Sequence, residues 1–136
     1  AAGVHRMRLK IVLTVSAIYL AIIGVGLMFA PQQFGIDAVP ADASPALISF
    51  LRVLGGPALG IAVLNWMARN AEPSTARNAI ILGNIVGFAA IAALDLSGLF
   101  SGARPLTKVF AIIHLLFAVA FIWVGRMNMS GSKEKK

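Results

Sequence analysis

Four apolar stretches, each of about twenty residues, crowd into a chain of 136, and each is the length a helix needs to cross the hydrocarbon core of a bilayer. They run over residues 9–30, 45–68, 75–96 and 106–127. A soluble four-helix bundle needs a polar outer face on every helix. From Ile11 to Ala30, however, the polar side chains are Thr14, Ser16 and Tyr19 alone. With 12% charged residues and a mean hydropathy of +0.86, the chain has too little polar surface to wrap four such helices in water. The expected fold is therefore all-α: a polytopic membrane protein with four antiparallel transmembrane helices in one up-down-up-down bundle. A short basic N-terminus and a disordered basic C-terminal tail beyond Asn128 complete it.

The net charge of +7 invites a nucleic-acid reading, but the placement of the charges opposes it. Arg6, Arg8 and Lys10 precede the first span, Arg69 and Arg77 flank the second connection, and Arg126, Lys133, Lys135 and Lys136 follow the last. Two spans separate each group from the next, so all three fall on one side of the membrane. The other side carries Arg104 and Lys108, with Asp37 and Asp42. This asymmetry puts both termini in the cytoplasm by the positive-inside rule. Basic tails beside anionic headgroups account for the charge, and no nucleic-acid partner is expected. The absence of cysteine excludes disulfides, thiol redox chemistry and cysteine-ligated metals. The first stretch is too long for a signal-peptide core, and Pro31-Gln32-Gln33-Phe34 follows it instead of a small-residue cleavage site, so it reads as a retained span. The opening at Ala1 rather than Met leaves a processed start open.

The connections carry their own signals. Residues 31–44 form the longest one, partly apolar through Phe34, Ile36 and Val39, and able to lie in the interface or over the bundle mouth. Ser44 is placed to cap the next helix, with Pro45 at its first position. Residues 70–74 and 97–105 are short enough to force antiparallel pairs. Gly56 and Gly60, four apart in span two, and Gly83 and Gly87, four apart in span three, each place two glycines on one helix face, where another backbone can approach closely. The simplest expectation is an intramolecular seam between spans two and three. The alternative is a seam between two copies of the chain.

Ionisable groups at membrane depth are costly and mark functional candidates. Arg52 lies seven residues into span two, about 10 Å along it, and His114 eight residues into span four, about 12 Å. Asp95 is near the outer end of span three, and Lys108 is shallower than His114 on the same helix. Arg52 and Asp95 can meet in depth. They are then either an ion pair pinning two helices or parts of a polar-ligand site at the bundle mouth, and Arg52 alone can also snorkel to the headgroups. For His114 three roles stand: a hydrogen bond to a neighbouring helix, proton or ligand handling beside Asp95, or ligation of a haem or chlorophyll-type pigment. No further cofactor and no metal site is expected. Toward the cytoplasmic end Asn65 and Asn84 lie at similar depth and suit an interhelical amide pair. Trp66 and Trp123 fit an aromatic belt near the same face. Tyr19, mid-span, needs a partner for its hydroxyl. There is no paired-carboxylate site, H-E-x-x-H, P-loop or nucleophile elbow, so no catalytic residue is assigned.

The run Leu51-Arg52-Val53-Leu54-Gly55-Gly56-Pro57-Ala58-Leu59-Gly60, followed by Leu64-Asn65-Trp66, resembles the second helix of small bacterial four-helix membrane proteins of the DoxX-like kind, and the chain length and span count agree. The resemblance implies a bacterial inner-membrane protein and brings no active-site assignment. The expected role is a non-enzymatic accessory or interaction subunit, working as a homo-oligomer or beside a larger membrane complex. The alternative is a small-molecule binder or transporter with Arg52, Asp95 and His114 lining a pocket. A third reading is an enzyme acting on a lipid-soluble substrate.

Overall fold

The computed structural model describes residues 1–129; the tail expected to be disordered lies, from residue 130 on, outside the described residues. The chain forms four long helices, α1 (Ala2–Phe29), α3 (Pro45–Ala68), α4 (Thr75–Phe100) and α5 (Thr107–Met129), with a single helical turn, α2 (Pro31–Phe34), after the first. All four long helices are sufficiently long and apolar to cross a membrane. This is a multi-pass, all-helical bundle.

Local chemistry accounts for the boundaries. Ser44 accepts from Leu47 N at 3.2 Å with Pro45 at the first helical position, and Ser74 accepts from Arg77 N at 3.2 Å; each serine satisfies one orphan amide of a first turn. At the end of α4, Ala103 N returns to Gly98 O at 2.9 Å, with Gly102 at φ +83°. That left-handed closure suits glycine. Helix α1 begins seven residues before its apolar stretch, because nothing between Ala2 and Lys10 breaks a helix; charge there ends the span, not the helix.

The helices meet in two pairs. Helix α3 packs along α1, α4 along α5, and the pairs join chiefly through α1 and α5, while α3 and α4 scarcely touch. This corrects the expected seam between the second and third spans. Gly56, Gly60, Gly83 and Gly87 are not the packing glycines of the bundle: a Cβ added at any of them would have nothing within 4 Å. The close crossing is instead between Gly24 of α1 and Gly55 of α3. A Cβ on Gly24 would lie 2.9 Å from Gly55 O and Leu59 N, and one on Gly55 would press on Gly24 O and Met28. A six-residue connection, 69–74, makes its two helices start together but does not keep them together. Backbone proximity at Gly24–Gly55 draws α3 toward α1.

Leu13, Ile81, Phe121 and Val124 are wholly buried at the centre. The outer faces carry Ile22, Val86, Leu94 and Leu116, each more than half exposed. Such apolar exposure suits lipid contact and would be a liability in water.

Residues 31–44 fold back over one end of the bundle. The Phe34 ring occupies the space a Cβ on Gly26 would need, and Arg104 donates to the carbonyl oxygens of Ile36 and Phe34. That strap joins the first connection to the third. At the opposite end, which bears both the first and the last described residues, Arg69 lies over Trp66 at 3.7 Å and Arg8 over Trp123 at 4.9 Å, cation–π contacts that set guanidinium groups against indole faces.

Candidate functional site

The polar residues inside the bundle form two hydrogen-bonded clusters, and both cross the plane between the helix pairs. The first joins three helices. Asp95 Oδ2 of α4 lies 2.6 Å from His114 Nδ1 of α5, and His114 Nε2 lies 2.6 Å from the Tyr19 hydroxyl of α1. A carboxylate only accepts, so Nδ1 carries a proton. In the neutral ring Nε2 is then the acceptor and Tyr19 the donor. The order of donation is Tyr19 to His114 to Asp95, a carboxylate orienting an imidazole that accepts a hydrogen bond from the phenol.

Aromatic rings enclose this chain. Phe110 stacks on His114 at 6.0 Å between centroids, Phe88 lies 6.1 Å from the same ring, and Phe117 sits between Tyr19 at 5.3 Å and Phe88 at 4.7 Å. The His114 and Asp95 side chains are 11% and 20% exposed. In so apolar a setting a lost hydrogen bond is costly, and the shared imidazole couples the two short contacts. Both imidazole nitrogens are engaged, so a pigment metal on His114 would have to displace Tyr19 or Asp95.

The second cluster lies deeper in the bundle. Asn65 and Asn84 exchange amide hydrogen bonds at 2.8 and 2.7 Å, and Asn65 Nδ2 also donates to Ser16 Oγ at 3.0 Å. Ser16 donates in turn to Leu13 O, and Asn84 to Ile80 O. The amide pair is the one place where α3 and α4 are tied directly by side chains among the described residues. Replacing Asn65 and Asn84 by leucine singly and together is expected to yield a coupling of about 0.5–2 kcal/mol. A double-mutant cycle in detergent would measure it, and strict additivity would rule out an energetic tie.

Arg52 does not join Asp95. Its Nε donates to Met28 O at 2.8 Å, a carbonyl in the last turn of α1 that lacks an intrahelical partner. The physical reason is the pairing of the helices: α3 lies on α1, so Arg52 faces the end of α1 and not α4. Neither the Arg52–Asp95 ion pair nor the alternative, one pocket lined by Arg52, Asp95 and His114, is formed. Asp95 and His114 come together with Tyr19, Arg52 stands apart beside an open cleft, and Lys108 is exposed outside both.

Several participants escaped sequence reading. Tyr19 and Ser16, three apart on α1, were visible as the polar exceptions of span one, but their partners were not. Arg77, grouped with the basic flank of a connection, is 2% exposed and donates to Asn128 O at 3.1 Å and Ala71 O at 3.4 Å. It ties the start of α4 to the end of α5. Nothing in its neighbours' composition separates it from the half-buried Arg69.

Fold and site together define the class, a multi-pass helical membrane protein with hydrogen-bonded polar clusters set in an apolar core. Compared with protein families, curated proteins and solved structures, the chain finds no match.

Proposed function

We propose that this protein is a small, non-enzymatic membrane subunit that binds other transmembrane helices, copies of itself first, along the groove between α3 and α4. The observation that carries this reading is the splay of those two helices. They leave a groove of about 320 Å³ lined by Ile61, Leu64, Asn65, Ala79, Ile80, Gly83 and Asn84, which continues along Gly87, Phe88 and Ile91. Gly83 and Gly87 present a flat face to it that no described residue fills.

Lipid supplies no hydrophobic force between helices, so association there depends on close backbone approach, which paired glycines permit. Such faces pack on their own kind, which makes a second copy the fitting occupant. The basic residues around the helix ends support a cytoplasmic placement of both termini. The span count, with the Leu51-to-Gly60 segment, supports kinship with the bacterial DoxX-like proteins.

The chain has no cysteine, so a Gly83→Cys variant reports one position. Oxidation in membranes is expected to yield a disulfide-linked dimer, and Gly83→Leu to leave a folded monomer in native mass spectrometry. A wild-type protein that stays monomeric, with no cross-link through Cys at 83, would refute the reading.

A second reading, a binder of a small lipid-soluble molecule, draws on the Tyr19–His114–Asp95 chain, because intramembrane ionisable groups mark ligand and proton sites. It requires a bound molecule that survives mild detergent and is lost in Tyr19→Phe.

A further inference from the structure

A cleft of about 470 Å³ opens where the end of α1 meets the start of α3, lined by Met28, Phe29, Pro45, Ile48, Ser49, Arg52 and Val53. Of these only Arg52 is charged. Its Nε–H is held by Met28 O, which fixes the guanidinium plane while leaving four of its five N–H donors uncommitted to that bond. Ser49 stands three residues earlier on the same helix, hence on the same face one turn toward the helix start. Around this polar pair the walls are hydrocarbon: Phe29 is 74% exposed and Val53 66%.

A fixed cation, a hydroxyl and two apolar walls at the end of a membrane bundle fit a molecule that is anionic at one end and greasy along the rest. We infer that this cleft binds the phosphate group of an anionic lipid, with Arg52 as the bidentate anchor, Ser49 as a further donor, and an acyl chain lying against Phe29 and Val53. The hydrogen bond from Arg52 to Met28 O means that the anchor is ordered before the lipid arrives, so little side-chain freedom is lost on binding. The site is separate from the α3–α4 groove and does not depend on self-association.

The chemistry would equally accept a free phosphate ion, so the test has two arms. Purified protein in mild detergent is titrated with phosphatidylglycerol, phosphatidylcholine or inorganic phosphate, and retained adducts are counted by native mass spectrometry. One phosphatidylglycerol is expected to be held in preference to phosphatidylcholine. Arg52→Gln should weaken it about tenfold, the loss of one charge-assisted contact, while Arg52→Lys keeps the charge without the fork and falls between. Arg52 is exposed, so these variants are expected to fold, and unchanged helical circular dichroism checks that. Equal retention of the two lipids, or an Arg52→Gln variant that binds like the wild type, overturns the proposal. Displacement of the lipid by millimolar inorganic phosphate assigns the site to the free ion and overturns the lipid.

Discussion

Gly55→Leu is expected to break the packing of α1 on α3, whereas Gly56→Leu, one residue along, leaves it intact. The contrast rests on what each new side chain would meet. At Gly55 a Cβ alone presses on the Gly24 carbonyl oxygen and on Met28, and at Gly24 it lies 2.9 Å from backbone atoms of Gly55 and Leu59. Backbone cannot rotate aside as a side chain can, so the helices must part, and the loss spreads along their shared length. Overpacking a close-packed site costs typically 1–3 kcal/mol, and a helix crossing held by two facing glycines belongs at or above the top of that range. A Cβ at Gly56 meets no described residue within 4 Å, so the added leucine has open space to occupy. Thermal unfolding of the two variants in the same detergent, followed by circular dichroism, separates them. Equal loss in both would show that the crossing lies elsewhere.

Asp95→Leu is expected to destabilise the bundle by about 1–3 kcal/mol, because it leaves the Nδ1–H of His114, on a side chain 11% exposed, without its acceptor. Asp95→Asn retains an acceptor oxygen and should recover much of that. His114→Leu orphans Tyr19 as well, and adding Tyr19→Phe to it should restore part of the loss, since removing both partners of a buried hydrogen bond is cheaper than removing one. A structural tie predicts the stabilities alone; the orientation of the imidazole predicts something more. The chain has two histidines, so ring nitrogen NMR can resolve His114. The wild type should show the Nδ1–H form held by Asp95, and Asp95→Leu should shift it toward Nε2–H. A ring that keeps its tautomer, in a variant as stable as the wild type, would remove Asp95 from the chain.

These two experiments probe what sequence could and could not convey. The depth of each residue was legible. Helical rise and bilayer thickness are known quantities, so the second span matches helix α3, and Asn65 and Asn84 fall at a common level and meet. Direction around the helix axis was not legible. A soluble helix declares its inner face by polarity, but here lipid and core are equally apolar, and Ile22 facing outward looks no different from Ile81 facing in. Hence Arg52 and Asp95, compatible in depth, point to different neighbours. Gly55 and Gly56 are adjacent in the chain and about 100° apart around the axis, and spacing alone favoured the wrong one. The polar exceptions carried the usable signal, because burial forces each to find a partner. His114 beside Asp95 was among the readings the sequence offered, but only the three-dimensional arrangement shows that Tyr19 completes the chain.

The pairing of helices also has a consequence for how the protein is made. Helices α1 and α3 are neighbours in space and successive long helices in synthesis, and the same holds for α4 and α5. Each pair is therefore a hairpin that can close before the next begins, by apolar packing that needs no distant residue. What remains is the docking of two finished hairpins, and there the surfaces are no longer anonymous. Tyr19 must find His114, Asn65 must find Asn84, and Asn128 must reach the His5 carbonyl oxygen. Hydrogen bonds in hydrocarbon tolerate little misalignment. They act as a proofreading step for the last stage of assembly, rejecting hairpins that meet rotated or out of register.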